Sequence, residues 1–270
     1  MFDTHCHLNF SRFKKNFAAV IKNAKTAGII GIVVPGTDIP TSKKAIEIAE
    51  KNQGIYAAVG IHPHHVFELT LTAEVIFGEL EKLISQPKVV AIGECGLDRH
   101  EYRNTKYEKY KVEENFVELQ KIILEKQIDL AIKHKKSLIL HNREAKTEML
   151  PILEKKWNKH LDGRTVFHCC EADQELLGFA KKKGMFIGVD GDITYFKEKQ
   201  DFIKAVPLEM LVLETDAPFL LPEPLRTQKK YPNEPKNLSL IAESVAKLKN
   251  VSFETIVAAT TKNANRLFSV

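Results

Sequence analysis

Eight short β-rich apolar runs alternate with helix-patterned stretches, and six of these runs end on, or within two residues of, a His, Glu or Asp. Together these observations predict an α/β fold, a TIM (β/α)8 barrel forming a single domain over residues 1–270. Near-continuous apolar runs suit parallel strands covered on both faces, and a barrel brings all C-terminal strand ends to one mouth. A doubly wound open sheet shows the same alternation but gathers its strand ends mainly at one crevice, and no Gly-rich phosphate loop favours it.

The first run, residues 1–5, leads straight into His5-Cys6-His7. Side chains alternate along an extended segment, so His5 and His7 share a face and Cys6 points the other way. Runs 28–34 and 55–61 follow, the latter reaching His62. Run 89–93, Val-Val-Ala-Ile-Gly, delivers Glu94 at its exit. Run 137–141 closes on His141 after Leu138-Ile139-Leu140, and run 165–168 closes on His168. Runs 185–189 and 210–214 complete the set, the last reaching Asp216. Between them, helical periodicity covers residues 13–27, 42–51, 73–85, 113–134, 145–156, 173–183 and 197–205, with a final pair at 238–249 and 253–268.

The 270 residues, 44% of them hydrophobic, suffice for a large core. No apolar stretch is long enough for a membrane span, and the N-terminus lacks the basic-then-apolar pattern of a secretory signal, so the expected location is the cytoplasm. Cys6, Cys95, Cys169 and Cys170 are too scattered for a disulfide scaffold or a structural zinc site and read as reduced thiols. A net charge of +5 is compatible with a polyanionic partner but is mild.

A His-x-His pair alone occurs by chance; four histidines and two carboxylates on five strand ends do not dismiss so easily. Nitrogen and oxygen donors without thiolates suit borderline or hard divalent ions, and six donors exceed the needs of one tetrahedral zinc. Two ions are therefore expected, roughly 3.5–4 Å apart and sharing a bridging oxygen, an arrangement that clamps displacement at phosphorus. Glu94, on a middle strand, is the expected bridge. Asp216 is the expected acceptor of the proton from a bridging water that becomes hydroxide and attacks.

The segments Asp3-Thr4-His5-Cys6-His7-Leu8, Gly60-Ile61-His62-Pro63-His64, Gly93-Glu94-Cys95-Gly96-Leu97-Asp98, 127–131, His141-Asn142-Arg143-Glu144-Ala145, Phe167-His168-Cys169, Glu214-Thr215-Asp216-Ala217-Pro218-Phe219-Leu220, Asn233-Glu234-Pro235 and Asn265-Arg266-Leu267-Phe268 span the chain. On them the chain resembles the TatD family of metal-dependent deoxyribonucleases, within the amidohydrolase-like hydrolases. That resemblance implies one ion on His5, His7, Glu94 and Asp216 and a second on Glu94, His141 and His168. It also implies divalent-metal hydrolysis of DNA phosphodiesters, exonucleolytic and directed to single strands or frayed ends. Mg²⁺ is the expected ion, with Mn²⁺ or Zn²⁺ as alternatives, and a monomer without membrane attachment is the expected form.

The chain departs from the family pattern in two places. Pro232 stands where an Arg commonly precedes Asn-Glu-Pro, with Lys229 and Lys230 nearby to replace its charge. Cys169-Cys170-Glu171-Ala172 stands where Phe and a small Ser/Thr-Gly segment usually follow the strand-six His. Residues 99–111 read like an insert, with five basic residues and three tyrosines beside the site. They fit either a guide for a single strand or a solvated loop entering a helix. His62 and His64 divide between phosphate contact and support of the ligands, and Arg143 between phosphate contact and a rim carboxylate. Two other functions compete. One is an ester or amide hydrolase of the same superfamily, such as an aminoacyl-tRNA deacylase, although Glu94 stands where many amidohydrolases carry a carboxylated Lys. The other is a non-catalytic binder of metal or nucleic acid.

Overall fold

The computed structural model describes residues 1–68, 73–103, 105, 107, 108 and 110–270. Asn104, Lys106 and Lys109 of the insert-like stretch lie outside these. Eight parallel strands follow one another around the sheet in chain order: β1 (Phe2–Asp3), β2 (Gly31–Pro35), β3 (Ile55–Val59), β4 (Val89–Asp98), β5 (Ser137–Arg143), β6 (Thr165–Phe167), β7 (Phe186–Val189) and β8 (Leu211–Leu213). Backbone bonds past the short β1 bring the last strand to the first. Thr4 N donates to Leu213 O at 3.0 Å, Asp216 N to His5 O at 2.9 Å and His7 N to Ala217 O at 2.8 Å. The sheet is thus a nearly closed barrel, with helices packed around it.

Two apolar layers hold it. Inside, Phe2, Val33, Ala58, Ala91, Ile139, Val166, Phe186 and Val212 contribute one side chain from each strand, joined by Ala264, Leu267 and Phe268 of α9 (Phe253–Phe268). Ser137, the first residue of β5, donates its hydroxyl to the Leu267 carbonyl, so α9 plugs the end opposite the mouth. A larger cluster, Cys6 included, fills the space between strands and helices.

Several boundaries differ from the sequence expectation for local physical reasons. The helix expected at 42–51 begins earlier, as α2 (Ile39–Lys51). Asp38 caps it by accepting from Thr41 N at 2.8 Å while the Thr41 hydroxyl receives Asp38 N at 3.0 Å, and Pro40 is harmless in a first turn. The helix expected at 13–27 is split into a 3₁₀ turn at Ser11–Phe13, which buries Phe13, and α1 (Phe17–Thr26). β4 and β5 run past their expected ends, so Glu94 lies in the middle of β4 rather than at its exit. The β4–β5 register shifts between Ile92 and Cys95. Glycines make this crowding possible: Gly93 sits at φ +145°, where a Cβ would lie 2.7 Å from that of Ile139. At Gly96 an added Cβ would lie 1.8 Å from the His141 carbonyl oxygen.

One face of α4 (Glu114–Lys133) holds the strand ends in place. The Gln120 amide accepts from Asp98 N at 2.8 Å and donates to Asp98 O at 3.1 Å. Two helical turns later, Gln127 does the same for Ile61, at 2.8 and 3.0 Å. No helix among the described residues is long and apolar enough to cross a membrane.

Candidate metal centre

The strand ends converge on a cavity of about 580 Å³ at the barrel mouth. His5 and His7 enter from the continuation of β1, both buried, with their Nε2 atoms 3.2 Å apart. Cys6 between them turns into the outer apolar cluster, as strand alternation predicts. The two oxygens of Glu94 face different neighbours. Oε2 lies 3.3 Å from His5 Nε2 and 3.6 Å from His7 Nε2. Oε1 lies 3.0 Å from His141 Nδ1, 3.3 Å from His62 Nε2 and 3.7 Å from His168 Nε2. Asp216 Oδ1 completes the first group, 3.7 Å from His5 and 3.4 Å from His7.

Asp216 stands in the turn after β8 at φ +47°, a left-handed conformation that Asp and Asn tolerate better than most residues. The Asn233 amide braces that turn, donating to Thr215 O at 2.9 Å and Leu220 O at 3.3 Å. The Asn-Glu-Pro segment therefore shapes the Asp216 turn through buried amide bonds that do not involve position 232.

Behind the rings stand carboxylates that the sequence reading did not single out. Glu214 Oε1 lies 2.9 Å from His168 Nδ1 and accepts Cys169 N at 2.6 Å, while its Oε2 accepts the Thr4 hydroxyl at 3.2 Å. Asp3 accepts Thr215 N at 2.9 Å and the Thr215 hydroxyl at 2.7 Å. Asp98 Oδ2 lies 3.0 Å from His141 Nε2, so His141 is held at both nitrogens, and it accepts the Tyr102 hydroxyl at 2.7 Å. Each of these acids sits within four residues of a ligand candidate in the motifs quoted above; the signal was adjacency, with the direction of the side chain missing.

Burial chiefly lowers the basicity of His5 and of His62, favouring the neutral imidazole that ligates metals. Burial pushes His141 the same way, but its hydrogen bonds to Asp98 and Glu94 outweigh this and raise its pKa to about 9. For His168 the charge and hydrogen bond of Glu214 overcome burial and raise it to about 10. Burial opposes ionisation of Glu94 and Asp216, yet the surrounding imidazoles hold both carboxyls below their ordinary range, Glu94 far below. The centre is a cage of imidazoles around ionised carboxylates. Three sets of its atoms, His5/His7/Asp216, His62/Glu94/His141 and His5/His168/Glu214, each lie within 4.8 Å of one another, close enough to hold a cation. His5 and His7 both turn Nε2 towards Glu94 and Asp216, while Nδ1 of each is buried without a hydrogen-bond partner.

The flanking candidates separate. His62 joins the donor group at Glu94. His64 lines the cavity farther from Glu94: its N–H donates to His62 Nδ1 at 3.1 Å and its ring lies 4.6 Å from Tyr110 and 5.0 Å from Tyr102. Arg143 donates to the Tyr102 hydroxyl at 3.0 Å, with its guanidinium 5.1 Å from that ring, and lines the cavity. In the insert-like stretch Tyr107 is buried, and Tyr110 packs on Phe67 and Phe116 at 5.1 and 5.8 Å. These rings face the core; Tyr102 lines the cavity. Arg99 is taken up by Glu114 at 2.9 Å and by Glu148. Opposite, Lys199 of α7 (Lys197–Ala205) reaches the cavity wall, 2.8 Å from Asp192 and 3.8 Å from the Cys169 sulfur. Its ammonium already neutralises the Cys169/Asp190/Asp192 group.

The family model described as TatD related DNase matches residues 2–269. The "Uncharacterized metal-dependent hydrolase YabD" of Bacillus subtilis is 35% identical over 272 residues, covering 100% of this chain and 99% of the relative. The "3'-5' ssDNA/RNA exonuclease TatD" of Klebsiella pneumoniae is 32% identical over 275 residues, covering 100% and 98%. The crystal structure of YJJV, a TatD homolog from Escherichia coli, superimposes with a TM-score of 0.85 at 29% identity, covering 100% of this chain and 98% of that one. With a family model matched end to end and candidate metal-holding groups of His, Glu and Asp gathered at the barrel mouth, this chain belongs to the TatD related DNase family of metal-dependent hydrolases.

Proposed function

We propose that this protein hydrolyses phosphodiester bonds of DNA, removing nucleotides from single-stranded or frayed ends, with two divalent ions, Mg²⁺ foremost, at the barrel mouth. The observation that carries this is the division of Glu94: one oxygen faces His5 and His7, the other His62, His141 and His168. His5, His7 and Asp216 would hold one ion and His141 and His168 the other, with Glu94 shared. When bound, such ions acidify a water and neutralise charge developing on the phosphate.

The chain's own groups supply the rest. Asp216, ionised and pointing between His5 and His7, is placed to take the proton of the attacking water. Glu214 and Asp98 orient His168 and His141. Arg143, propped on Tyr102, offers its remaining N–H groups to a phosphate oxygen, and His62 stands beside the same position. The exonuclease names of the 30–33% identical relatives support the choice of a nucleic acid end as substrate.

The test is hydrolysis of a single-stranded oligonucleotide with Mg²⁺ or Mn²⁺ by the wild type and by Glu94→Gln and Asp216→Asn. Both variants lose at least about a thousandfold in rate while keeping their circular dichroism, as expected when a ligand or base of a preorganised site is removed. Undiminished hydrolysis in either rejects its assigned role. Calorimetric titration checks the stoichiometry: two ions per chain in the wild type.

A further inference from the structure

The cavity at the metal centre continues outward. Phe10, Phe219 and Leu220 line both it and a second groove of about 690 Å³, which runs past Arg12, Thr41 and Tyr231. Among the described residues three aromatic side chains are exposed: Phe196 at 47%, Phe219 at 49% and Tyr231 at 55%. All three border this connected space. Leaving a large ring in water forgoes roughly 2 kcal/mol of burial, so exposed rings gathered at one place mark a surface that something covers.

The ring wall begins at the metal centre itself. Phe10 stacks on His7 with centroids 4.4 Å apart and meets Phe219 nearly edge-on at 6.0 Å. Beside it lies positive charge without neutralisation. Arg12, Lys14 and Lys15 are exposed around the Ser11–Phe13 turn, and Lys229 and Lys230 are exposed just before Tyr231. None of the five forms a salt bridge or side-chain hydrogen bond among the described residues. Cations that find no carboxylate, next to ring faces that find no cover, suit a chain carrying phosphates and unpaired bases. A duplex keeps its base faces stacked internally and has nothing to offer the rings, and an apolar peptide has no use for the cations.

We infer that this outer groove is the track of the single strand beyond the bond being cut. Bases stack on Phe219 and Tyr231, and Arg12 with the flanking lysines holds the backbone phosphates. The inference rests on the phosphodiesterase reading and adds to it where the strand runs.

The test uses the Mg²⁺-loaded protein and a fluorescent single-stranded 12-mer with phosphorothioate linkages that resist hydrolysis, followed by anisotropy. Tyr231→Ala binds about tenfold more weakly, the loss of one stacked base, while Tyr231→Phe stays within about twofold of the wild type. Arg12→Ala lowers the slope of log affinity against log salt by about 0.7, one single-strand phosphate contact. Tyr231→Ala binding like the wild type overturns the track. So does Tyr231→Phe losing as much as Tyr231→Ala, or a duplex bound as tightly as the single strand. Hydrolysis of an unmodified strand by the wild type is scored separately. Ring-dependent binding without hydrolysis would refute the nuclease reading and leave the groove standing, whereas hydrolysis with ring-independent binding would do the reverse.

Discussion

Glu214 decides which nitrogen His168 offers to Glu94. By engaging Nδ1 at 2.9 Å it leaves Nε2 turned towards Glu94. Outer partners of this kind typically contribute 10–100-fold in metal affinity. Glu214→Gln should weaken metal binding by about that much when titrated well below the melting temperature of the metal-free variant; equal affinity would reduce Glu214 to a packing role. Asp3 carries a second residue-level consequence. Burial, only partly offset by the bonds from Thr215, raises its pKa from 3.8 to about 7 in the metal-free fold. The folded state then holds a proton that the unfolded chain releases. The stabilisation this gives is complete below about pH 4 and fades as pH climbs towards 7, at about 1.4 kcal/mol per unit. Asp3→Asn cannot titrate. Its stability relative to the wild type should therefore rise between pH 4 and 7 and level off above, as read by urea unfolding at each pH without metal.

At the scale of elements, the pairing of β4 and β5 does most to build the site. Gly96 lets the His141 backbone lie against β4, and Gly93 does the same for Ile139. Gly96→Ala would drive a Cβ onto the His141 carbonyl, against backbone that cannot swing aside. It should destabilise the fold by more than about 3 kcal/mol, or lower Tm by roughly 10 °C; a shift under 2 °C would show that the strands separate freely. The glycines bracketing Glu94 were plain in the sequence, but their role was not, because the atoms they avoid belong to a strand more than forty residues away. The insert-like stretch taught the same lesson. Its tyrosines read as guides for a strand or as part of a solvated loop, and tertiary neighbours separate them: Tyr110 packs on Phe67 and Phe116, while Tyr102 lines the cavity with Arg143.

For the molecule as a whole, stability and chemistry occupy opposite ends of the barrel. The plug of Leu267 and Phe268 closes one end, and the imidazole cage opens at the other. Leu267, fully buried, should cost about 3 kcal/mol when cut to Ala. Metal affinity of the folded variant should match the wild type when titrated well below its melting temperature; a weakened site would show that strain passes through the interior layer.

The sequence alone determined the barrel and which polar residues meet at its mouth, because both follow from local rules. Apolar runs at strand length separated by helical periods leave few architectures, and a barrel obliges the polar residues ending those runs to meet. His5, His7, Glu94, His141, His168 and Asp216 were legible for that reason, and the structure brings all six together. What only the tertiary structure decided is direction and partnership. It turned the two oxygens of Glu94 to different neighbours, set Asp98 and Glu214 behind their histidines and set the His64 ring among Tyr102 and Tyr110. It also gathered Phe10, Phe219 and Tyr231, from positions more than two hundred residues apart, along one groove. Spacing in a chain fixes which face a side chain takes, but distances between strands far apart in sequence are set by packing, and hydrogen bonds at 3 Å are made or lost on that scale.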